Sequence, residues 1–183
     1  GYYCTDRFMS DLSDLDSRIA KLNAIGIALS GEKDTTRLLD RILQEAKGLT
    51  HADGGTLYLL DTEQPQLNFT IIHTDSLRLT MGGTSDTPIG LEPIPLHDTA
   101  GKPNDSMVAA YCVNHRRTVN ISDAYTMQGF DFSGTRRFDQ QTGYHSKSFL
   151  TVPMVDHEGE IIGVLQLINK CDSRQSKIVE FNA

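Results

Sequence analysis

Apolar side chains recur at alternating steps of four and three residues near the start of the chain. Ser and Asp residues occupy positions off this seam, which consists of Phe8, Leu12, Leu15, Ile19, Leu22, Gly26 and Leu29. The spacing is the a/d pattern of a heptad repeat and predicts a helix with one apolar stripe, which Ser30 and Gly31 end with a left-handed cap. A second copy of the chain would cover the stripe in a parallel coiled coil, and packing on the chain's own domain would also cover it.

A second helix and a hairpin follow. The helix is predicted to begin with Asp34 as its N-cap and to end near His51. Its apolar face comprises Leu38, Leu39, Ile42, Leu43, Ala46 and Leu49. Residues 54–61 and 67–74 are β-rich runs joined by a polar turn, which predicts an antiparallel hairpin. Residues 75–105 are rich in Gly, Pro, Ser, Thr and Asp, so we expect irregular structure there with a short strand at 93–96.

The second half of the chain alternates shorter elements. The pattern first predicts a helix at 106–115 capped by Asn104 or Asp105, a strand at 118–121 and a loop at 123–134. A helix at 135–143, stopped by Gly143, follows. Strands at 147–155 and 160–170 are then joined by a turn at Gly159, and a helical pattern runs from Gln175 through Ile178 and Phe181. The closing hairpin predicts a mainly antiparallel sheet in an α+β sandwich. Helices before and after the sheet should cover one face. The inserted short helices and loops should cover the other face and form a pocket.

Composition narrows the classes of function. The 183 residues carry a formal net charge of −7, which argues against a nucleic-acid-binding protein. No stretch approaches the roughly 18 consecutive apolar residues of a membrane span, and no signal peptide is visible. Cys4, Cys112 and Cys171 form an odd, widely spaced set that indicates reduced thiols, so we expect a cytoplasmic protein. Cys112 and Cys171 are expected to be buried as small hydrophobic residues.

Enzyme and metal motifs are not found in the sequence. It contains no nucleophile elbow, P-loop, zinc-protease or dinucleotide fingerprint, and its histidines have no metal-ligand spacing. We therefore expect neither catalytic residues nor a metal site.

Two features point to a binding site instead. Gln166 shares one face of the last strand with Ile162, Val164 and Ile168, and a buried glutamine needs hydrogen-bond partners. A polar ligand, neighbouring backbone or water could supply them. The start of the helix near residues 104–108 offers free N–H groups to an anion, unless Asn104, Asp105 or Ser106 caps them.

An ordered set of motifs resembles the GAF domain. These are NISDAY (120–125), RRFDQQTGY (136–144), SFLTVPM (148–154) and EIIGVLQLINK (160–170), and the resemblance runs from about Ala28 to Phe181. The sequence is most similar to GAF domains of cyclic-nucleotide phosphodiesterases and to bacterial ones fused to adenylyl cyclases or HD-type phosphohydrolases. The resemblance implies a PAS-related fold, in which a six-stranded antiparallel sheet has helices on one face and a covered ligand pocket on the other.

The resemblance also implies a function and a domain organisation. It implies a non-enzymatic sensor domain in signal transduction, with cAMP or cGMP as the leading ligand. The sensor would control an attached HD-type phosphohydrolase, phosphodiesterase or cyclase and form a homodimer through its flanking helices. The expected parts are a connecting and dimerisation helix (1–30), the GAF domain (31–174) and the start of a connecting helix (175–183), after which the output domain would follow.

The pocket positions of the family's cyclic-nucleotide-binding members are carried over from the motifs. They fall on Thr56, Ile72, His73, Val108, Ala109, Asp139, Thr142, Ser146 and Gln166, with the amides of Val108 and Ala109 meeting the phosphate. Position 73 is His where some relatives have an acid that reads the base, and position 166 is Gln where Glu can occur. The family's bracing signature is represented by Asn169, Lys170 and Phe181.

Two further functions stay open. A GAF domain can act as a ligand-independent dimerisation and relay module. Some GAF proteins reduce free methionine sulfoxide through pocket cysteines, but Cys112 and Cys171 lie outside the expected pocket positions, which disfavours this redox activity.

Overall fold

One antiparallel sheet organises the residues that the computed structural model describes, namely 32–172, 174 and 177–181. In chain order the elements are α1 (Glu32–Thr50), β1 (Ala52–Leu60), β2 (Gln66–Thr74), β3 (Leu79–Gly82), β4 (Ile94–Pro95), α2 (Val108–His115), β5 (Val119–Ile121), α3 (Ser133–Thr142), β6 (Phe149–Val155), β7 (Ile161–Asp172) and β8 (Lys177–Val179). The predicted N-terminal helix with its heptad seam lies outside the described residues. Among the described helices, none is both long enough and apolar enough for a transmembrane span.

The sheet confirms the predicted architecture. Its main path has six strands in the order β3-β2-β1-β7-β6-β5, while β4 pairs with β2 and β8 pairs with β7. Every pairing is antiparallel. The turn between β6 and β7 places Gly159 at a φ of 81°, as the sequence predicted. The longest strand, β7, and its neighbour β1 therefore lie in the centre of this path.

Helix α1 covers one face of the sheet. Its buried side chains Leu39, Ile42, Leu43 and Ala46 pack on Leu57, Ile71, Leu165 and Leu167 of the strands. Gly55 permits this close packing, because a Cβ there would lie 2.6 Å from the Cδ1 of Leu43. Leu49 was predicted on the same face but is 50% exposed, since it lies in the last turn of the helix beyond the edge of the core.

Helices α2 and α3 and the segment between β3 and α2 cover the opposite face. Ala109, Ala110 and Cys112 of α2 pack with Tyr58 and Val164 of the central strands. A second apolar group joins Phe132, before α3, to Phe149 of β6. The space that remains between these two clusters is the candidate site.

Several local predictions differ from the structure. Leu79–Gly82 forms β3 within the segment expected to be irregular, and Lys177–Val179 forms β8 where a helical pattern was read. Ile178 pairs with Cys171, so hydrogen bonds to the end of β7 outweigh a short helical periodicity. Helix α3 begins at Ser133, two residues before its expected start.

Helix α2 lacks the predicted N-terminal cap. Met107 occupies the N-cap position without a side-chain hydrogen bond. The Nδ2 of Asn104 donates instead to the carbonyl of Pro95, and the Oδ1 of Asp105 lies 3.0 Å from the Nε2 of His115. The two expected caps are thus used to hold the loop before the helix.

Candidate ligand-binding site

A cavity of about 450 Å³ lies between the sheet, α2, α3 and the segment around Pro93. Cavities that hold small organic ligands have volumes of roughly 300–1,000 Å³. Most of the wall is apolar, with side chains that include Phe69, Ile72, Ile94, Phe132, Phe138 and Phe149. The cavity is thus large enough and sufficiently apolar for a small organic molecule.

The floor of the cavity carries a polar row across three neighbouring strands. Gln166 of β7 pairs directly with Thr56 of β1 on one side and with Thr151 of β6 on the other. Thr56 and Gln166 line the cavity, and all three residues are buried. The antiparallel register therefore brings three hydrogen-bonding side chains together beneath apolar walls.

Protein partners satisfy part of the Gln166 amide. The Tyr58 hydroxyl donates to its Oε1 at 3.3 Å, and its Nε2 donates to the Oγ1 of Thr151 at 3.1 Å. Burial raises the pKa of Tyr58, which keeps this hydroxyl protonated. Thr56 differs, because its hydroxyl makes no hydrogen bond within the described part of the chain although the residue is only 6% exposed.

The start of α2 forms another polar part of the wall. Met107, Val108 and Ala109 line the cavity, and no side chain caps the helix there. The first N–H groups of a helix have no partner within the helix and favour an anion. Arg137 of α3 lines the same cavity and adds a positive charge.

Carboxylates also reach the cavity. Glu92 and Asp131 belong to its lining, and both are exposed residues. Hydrogen bonds from Ser133, with a contribution from Arg137, lower the pKa of Asp131, so this carboxyl is ionised at neutral pH. The charged groups of the lining therefore include both signs.

Seven of the nine predicted site residues line this one cavity, namely Thr56, Ile72, His73, Val108, Ala109, Ser146 and Gln166. Asp139 and Thr142 are not in its lining. The Asp139 carboxylate accepts hydrogen bonds from the Tyr125 hydroxyl at 2.6 Å and from the N–H and hydroxyl of Ser146 at 2.9 and 2.7 Å. The Thr142 hydroxyl donates to the carbonyl of Phe138 within α3. Both residues therefore hold α3 and the segment after it.

The side chain of His73 points away from the cavity. His73 pairs with Gly55, which faces α1, and its Nδ1 accepts a hydrogen bond from the Nε2 of Gln44 in α1. The imidazole is consequently on the helix face of the sheet, whereas the neighbouring Ile72 and Thr74 are on the cavity face. Strand alternation thus places the imidazole on the α1 side although His73 belongs to the cavity lining, and position 73 stays a predicted site position.

Sequence reasoning missed Thr151, Tyr58 and Arg137. The period-two alternation that singled out Gln166 also places Thr151 on the cavity face, but the pairing of β6 with β7 is needed to bring the two together. Arg137 was not predicted to belong to the site, because an exposed arginine in a short helix carries no local signal of a nearby cavity.

The described residues contain no group of three or more His, Cys, Asp or Glu side chains that could hold a metal ion. Cys112 is buried on α2, as expected, whereas Cys171 is exposed at the end of β7. The lining of the cavity includes neither of them.

Comparison with known proteins identifies a family and relatives. The GAF domain family model matches residues 34–181. A dual 3′,5′-cyclic-AMP and -GMP phosphodiesterase 11A from Takifugu rubripes is 44% identical over 66 residues, which cover 36% of this chain and 7% of that protein. A cGMP-specific 3′,5′-cyclic phosphodiesterase from Drosophila melanogaster is 29% identical over 142 residues, which cover 78% of this chain and 12% of that protein. The chain therefore spans a small part of these relatives.

Solved structures share the fold. The A. Aeolicus nlh2 GAF domain, solved in an inactive state, superposes with a TM-score of 0.51 at 10% identity, covering 92% of this chain and 85% of that one. The GAF domain of a phosphoenolpyruvate-protein phosphotransferase from Coxiella burnetii gives a TM-score of 0.50 at 14% identity, with 89% and 77% covered.

Proposed function

Since the chain belongs to the GAF domain family, we propose that its cavity binds a small polar ligand, with the cyclic nucleotides cAMP and cGMP as the leading candidates. The chain is a regulatory domain related to cyclic-nucleotide phosphodiesterases. The observation that carries the proposal is the polar row of Thr56, Gln166 and Thr151 beneath apolar walls in a cavity of about 450 Å³. Such a floor would fix the edge of a flat ring, and the walls would cover its faces.

A cyclic nucleotide would use both polar parts of the cavity. Its base would meet Thr56 and Gln166 on the floor, between aromatic side chains such as Phe69 and Phe149. Its phosphate would meet the amides at the start of α2, with Arg137 as a further positive group. Because these groups come from separate elements, a bound ligand would stabilise one arrangement of α2 and α3 relative to the sheet.

Regulation would follow from that stabilisation. A ligand that binds one arrangement more tightly shifts the population toward it. In the proposed full-length protein the change would pass through flanking helices of a homodimer to an attached HD-type phosphohydrolase, phosphodiesterase or cyclase in the cytoplasm. The heptad pattern between Phe8 and Leu29 supports the dimer, and the phosphodiesterase relatives support the attached enzyme.

Isothermal titration of the chain with cAMP, cGMP and cyclic dinucleotides tests the proposed binding. We expect saturable heat with at least one of them, loss of that heat in Gln166→Leu, and its retention in Gln140→Leu, the same substitution at an exposed position outside the cavity lining. The absence of both heat and thermal stabilisation at millimolar ligand would overturn the cyclic-nucleotide proposal.

A ligand-independent dimerisation and relay module is the second candidate, and the heptad pattern favours it. Sedimentation of the chain with and without residues 1–30 distinguishes the two functions. The relay requires a dimer that is lost on removal of these residues and is insensitive to the nucleotides above. A monomeric chain would exclude it. The redox alternative has no support from the cavity, whose lining includes neither Cys112 nor Cys171.

A further inference from the structure

We propose that Tyr58 and Thr151 are positioning residues that hold the Gln166 amide so that it presents one hydrogen-bond donor and one acceptor to the cavity. The inference rests on the proposed binding function and deepens it, because it defines the edge of the ligand that the floor accepts. That edge belongs to a planar heteroaromatic ring and carries an N–H beside a lone pair.

The number of free hydrogen-bonding groups follows from the contacts. A glutamine amide has two N–H donors and a carbonyl oxygen with two lone pairs. The bonds to Tyr58 and Thr151 use one lone pair and one N–H. One donor and one acceptor remain. Both partners are hydroxyls that can donate or accept, so the same pair remains in either orientation of the amide.

Burial of Tyr58 and Thr151 restricts the motion of the Gln166 amide that they hold. Tyr58 is 4% exposed and Thr151 is fully buried, and the ring of Tyr58 contacts Phe69 with 4.7 Å between centroids. Thr151 is the direct cross-strand partner of Gln166, so strand pairing fixes the separation of their backbones. The amide is therefore bonded on two sides by groups that cannot move away to solvent.

The unpartnered hydroxyl of Thr56 points to a ligand independently. It is the other direct cross-strand partner of Gln166, it lines the cavity, and it has no hydrogen bond within the described residues. Among the described residues, the Nε2 of His73 is the only fully buried side-chain nitrogen or oxygen without a partner, so the Thr56 hydroxyl keeps accessible surface and is open to the cavity. A ligand edge that bonds to Gln166 would lie beside this hydroxyl and satisfy it.

The free donor and acceptor select a class of ring edge. A glutamine amide pairs with the N–H and ring nitrogen of adenine in a two-bond arrangement. The adjacent O6 and N1–H of guanine also offer one acceptor and one donor. An edge with two donors, such as the N1–H and N2–H of guanine, would leave the free N–H of Gln166 opposed to another donor. The floor thus favours a mixed edge.

The first arm of the test needs no ligand. Hydrogen exchange of the Gln166 side-chain amide is measured by NMR in the wild-type chain, Tyr58→Phe, Thr151→Val and Thr74→Val. Thr74 is a matched control, since it is a buried threonine in the cavity lining with no bond to Gln166. We expect slow exchange in the wild type and in Thr74→Val, and acceleration of about tenfold in Thr151→Val and Tyr58→Phe. Equal exchange in all four proteins would overturn the positioning role.

The second arm measures ligand preference by titration. The probes are cAMP against its analogue without the 6-amino group, and cGMP against its 2-aminopurine analogue without O6 and N1–H. We expect the wild type to prefer the parent nucleotide by about tenfold, Thr151→Val to lose that preference, and Thr151→Ser to restore it. An equal loss of affinity for both members of a pair, without rescue by Thr151→Ser, would show a structural role only. If no cyclic nucleotide binds the wild type, the proposed ligand class fails, while the exchange arm still decides the positioning role.

Discussion

The Nε2 of His73 lies 3.5 Å from the Oδ1 of Asp40 and is buried without a hydrogen-bond partner within the described residues. The amide nitrogen of Gln44 donates to the opposite ring nitrogen, so the neutral imidazole carries its proton on Nε2. The Asp40 carboxylate also accepts a hydrogen bond from the N–H of Thr84 at 2.8 Å. Asp40 thus connects α1 to the segment after β3, and His73 lies beside this connection on the back of a strand that lines the cavity.

Acidification should weaken the fold through His73. Burial lowers the pKa of His73, the Lys47 ammonium lowers it further, and the Asp40 carboxylate opposes both. The unfolded chain, with a histidine pKa of about 6.5, therefore binds a proton at pH values where the folded chain does not. The free energy of unfolding is highest above that value and falls as the pH decreases through 6.5 toward the lower pKa of the folded state.

Urea unfolding of His73→Gln at pH 7 and at pH 5.5 checks this expectation. The variant should lose less stability between the two pH values than the wild type, because the titrating group is gone. His157→Gln is the control, since the His157 side chain is 73% exposed. A pH dependence that is the same in the wild type and in His73→Gln would contradict the prediction.

Asp139→Ala should destabilise the domain by about 3 kcal/mol, because it leaves the N–H and hydroxyl of buried Ser146 without their acceptor. Thr142→Val, at an exposed position, should change the free energy of unfolding by less than about 0.5 kcal/mol. Chemical denaturation measures both. If Asp139→Ala keeps full stability and only weakens nucleotide binding, then Asp139 contacts the ligand as the family resemblance implied.

The periodicity of apolar residues in the sequence was sufficient to predict the long helix and strands of the fold. The apolar face of α1 and the alternation along β1, β2, β6 and β7 each extend over several repeats, and the structure confirms these elements. The short strand β8 was read as helix, because three residues carry too little periodicity and their state depends on pairing with β7. The predicted N-terminal cap of α2 was wrong for a related reason. Asn104 and Asp105 make hydrogen bonds to Pro95 and His115, which only the folded loop brings close to them.

The candidate site was partly visible in the sequence. Alternation in β7 placed Gln166 beside apolar residues, and the structure confirms that it lies on the floor of a cavity. The same alternation along β2 places Ile72 and His73 on opposite faces of the sheet. A motif alignment assigns residues to pocket positions but does not say which face of the sheet each side chain is on. The contribution of Thr151 depends on a cross-strand register that a single sequence does not specify.

Two glycine substitutions should change stability in opposite directions. Gly48 lies in the last part of α1, and a Cβ added there would meet no atom within 4 Å, so Gly48→Ala should stabilise the domain by roughly 0.5–1 kcal/mol. Gly143 ends α3 at a φ of 73°, so Gly143→Ala should destabilise it by about 1 kcal/mol. Thermal unfolding of both variants gives the comparison, and a stabilising Gly143→Ala would contradict the assigned left-handed cap.

Asn169 should be among the most sensitive positions of the sheet. It is fully buried in β7 at a φ of 59°, where asparagine is tolerated far better than most residues. Its Oδ1 accepts hydrogen bonds from the N–H groups of Lys147 and Ser148, at 2.7 and 3.2 Å, and its Nδ2 donates to the carbonyl of His145 at 2.7 Å. One side chain therefore fixes the segment that leads from α3 into β6.

Substitutions at Asn169 separate its hydrogen bonds from its backbone conformation. Asn169→Ala loses the bonds and keeps the strained φ, so we expect a loss of about 3 kcal/mol or more in urea unfolding. Asn169→Gly loses the same bonds without the strain and should be less destabilised than Asn169→Ala by about 1 kcal/mol. Equal stability of the two variants would mean that the left-handed conformation contributes nothing. Because Ser146 lies in the released segment and lines the cavity, both variants should also bind nucleotide more weakly than the wild type.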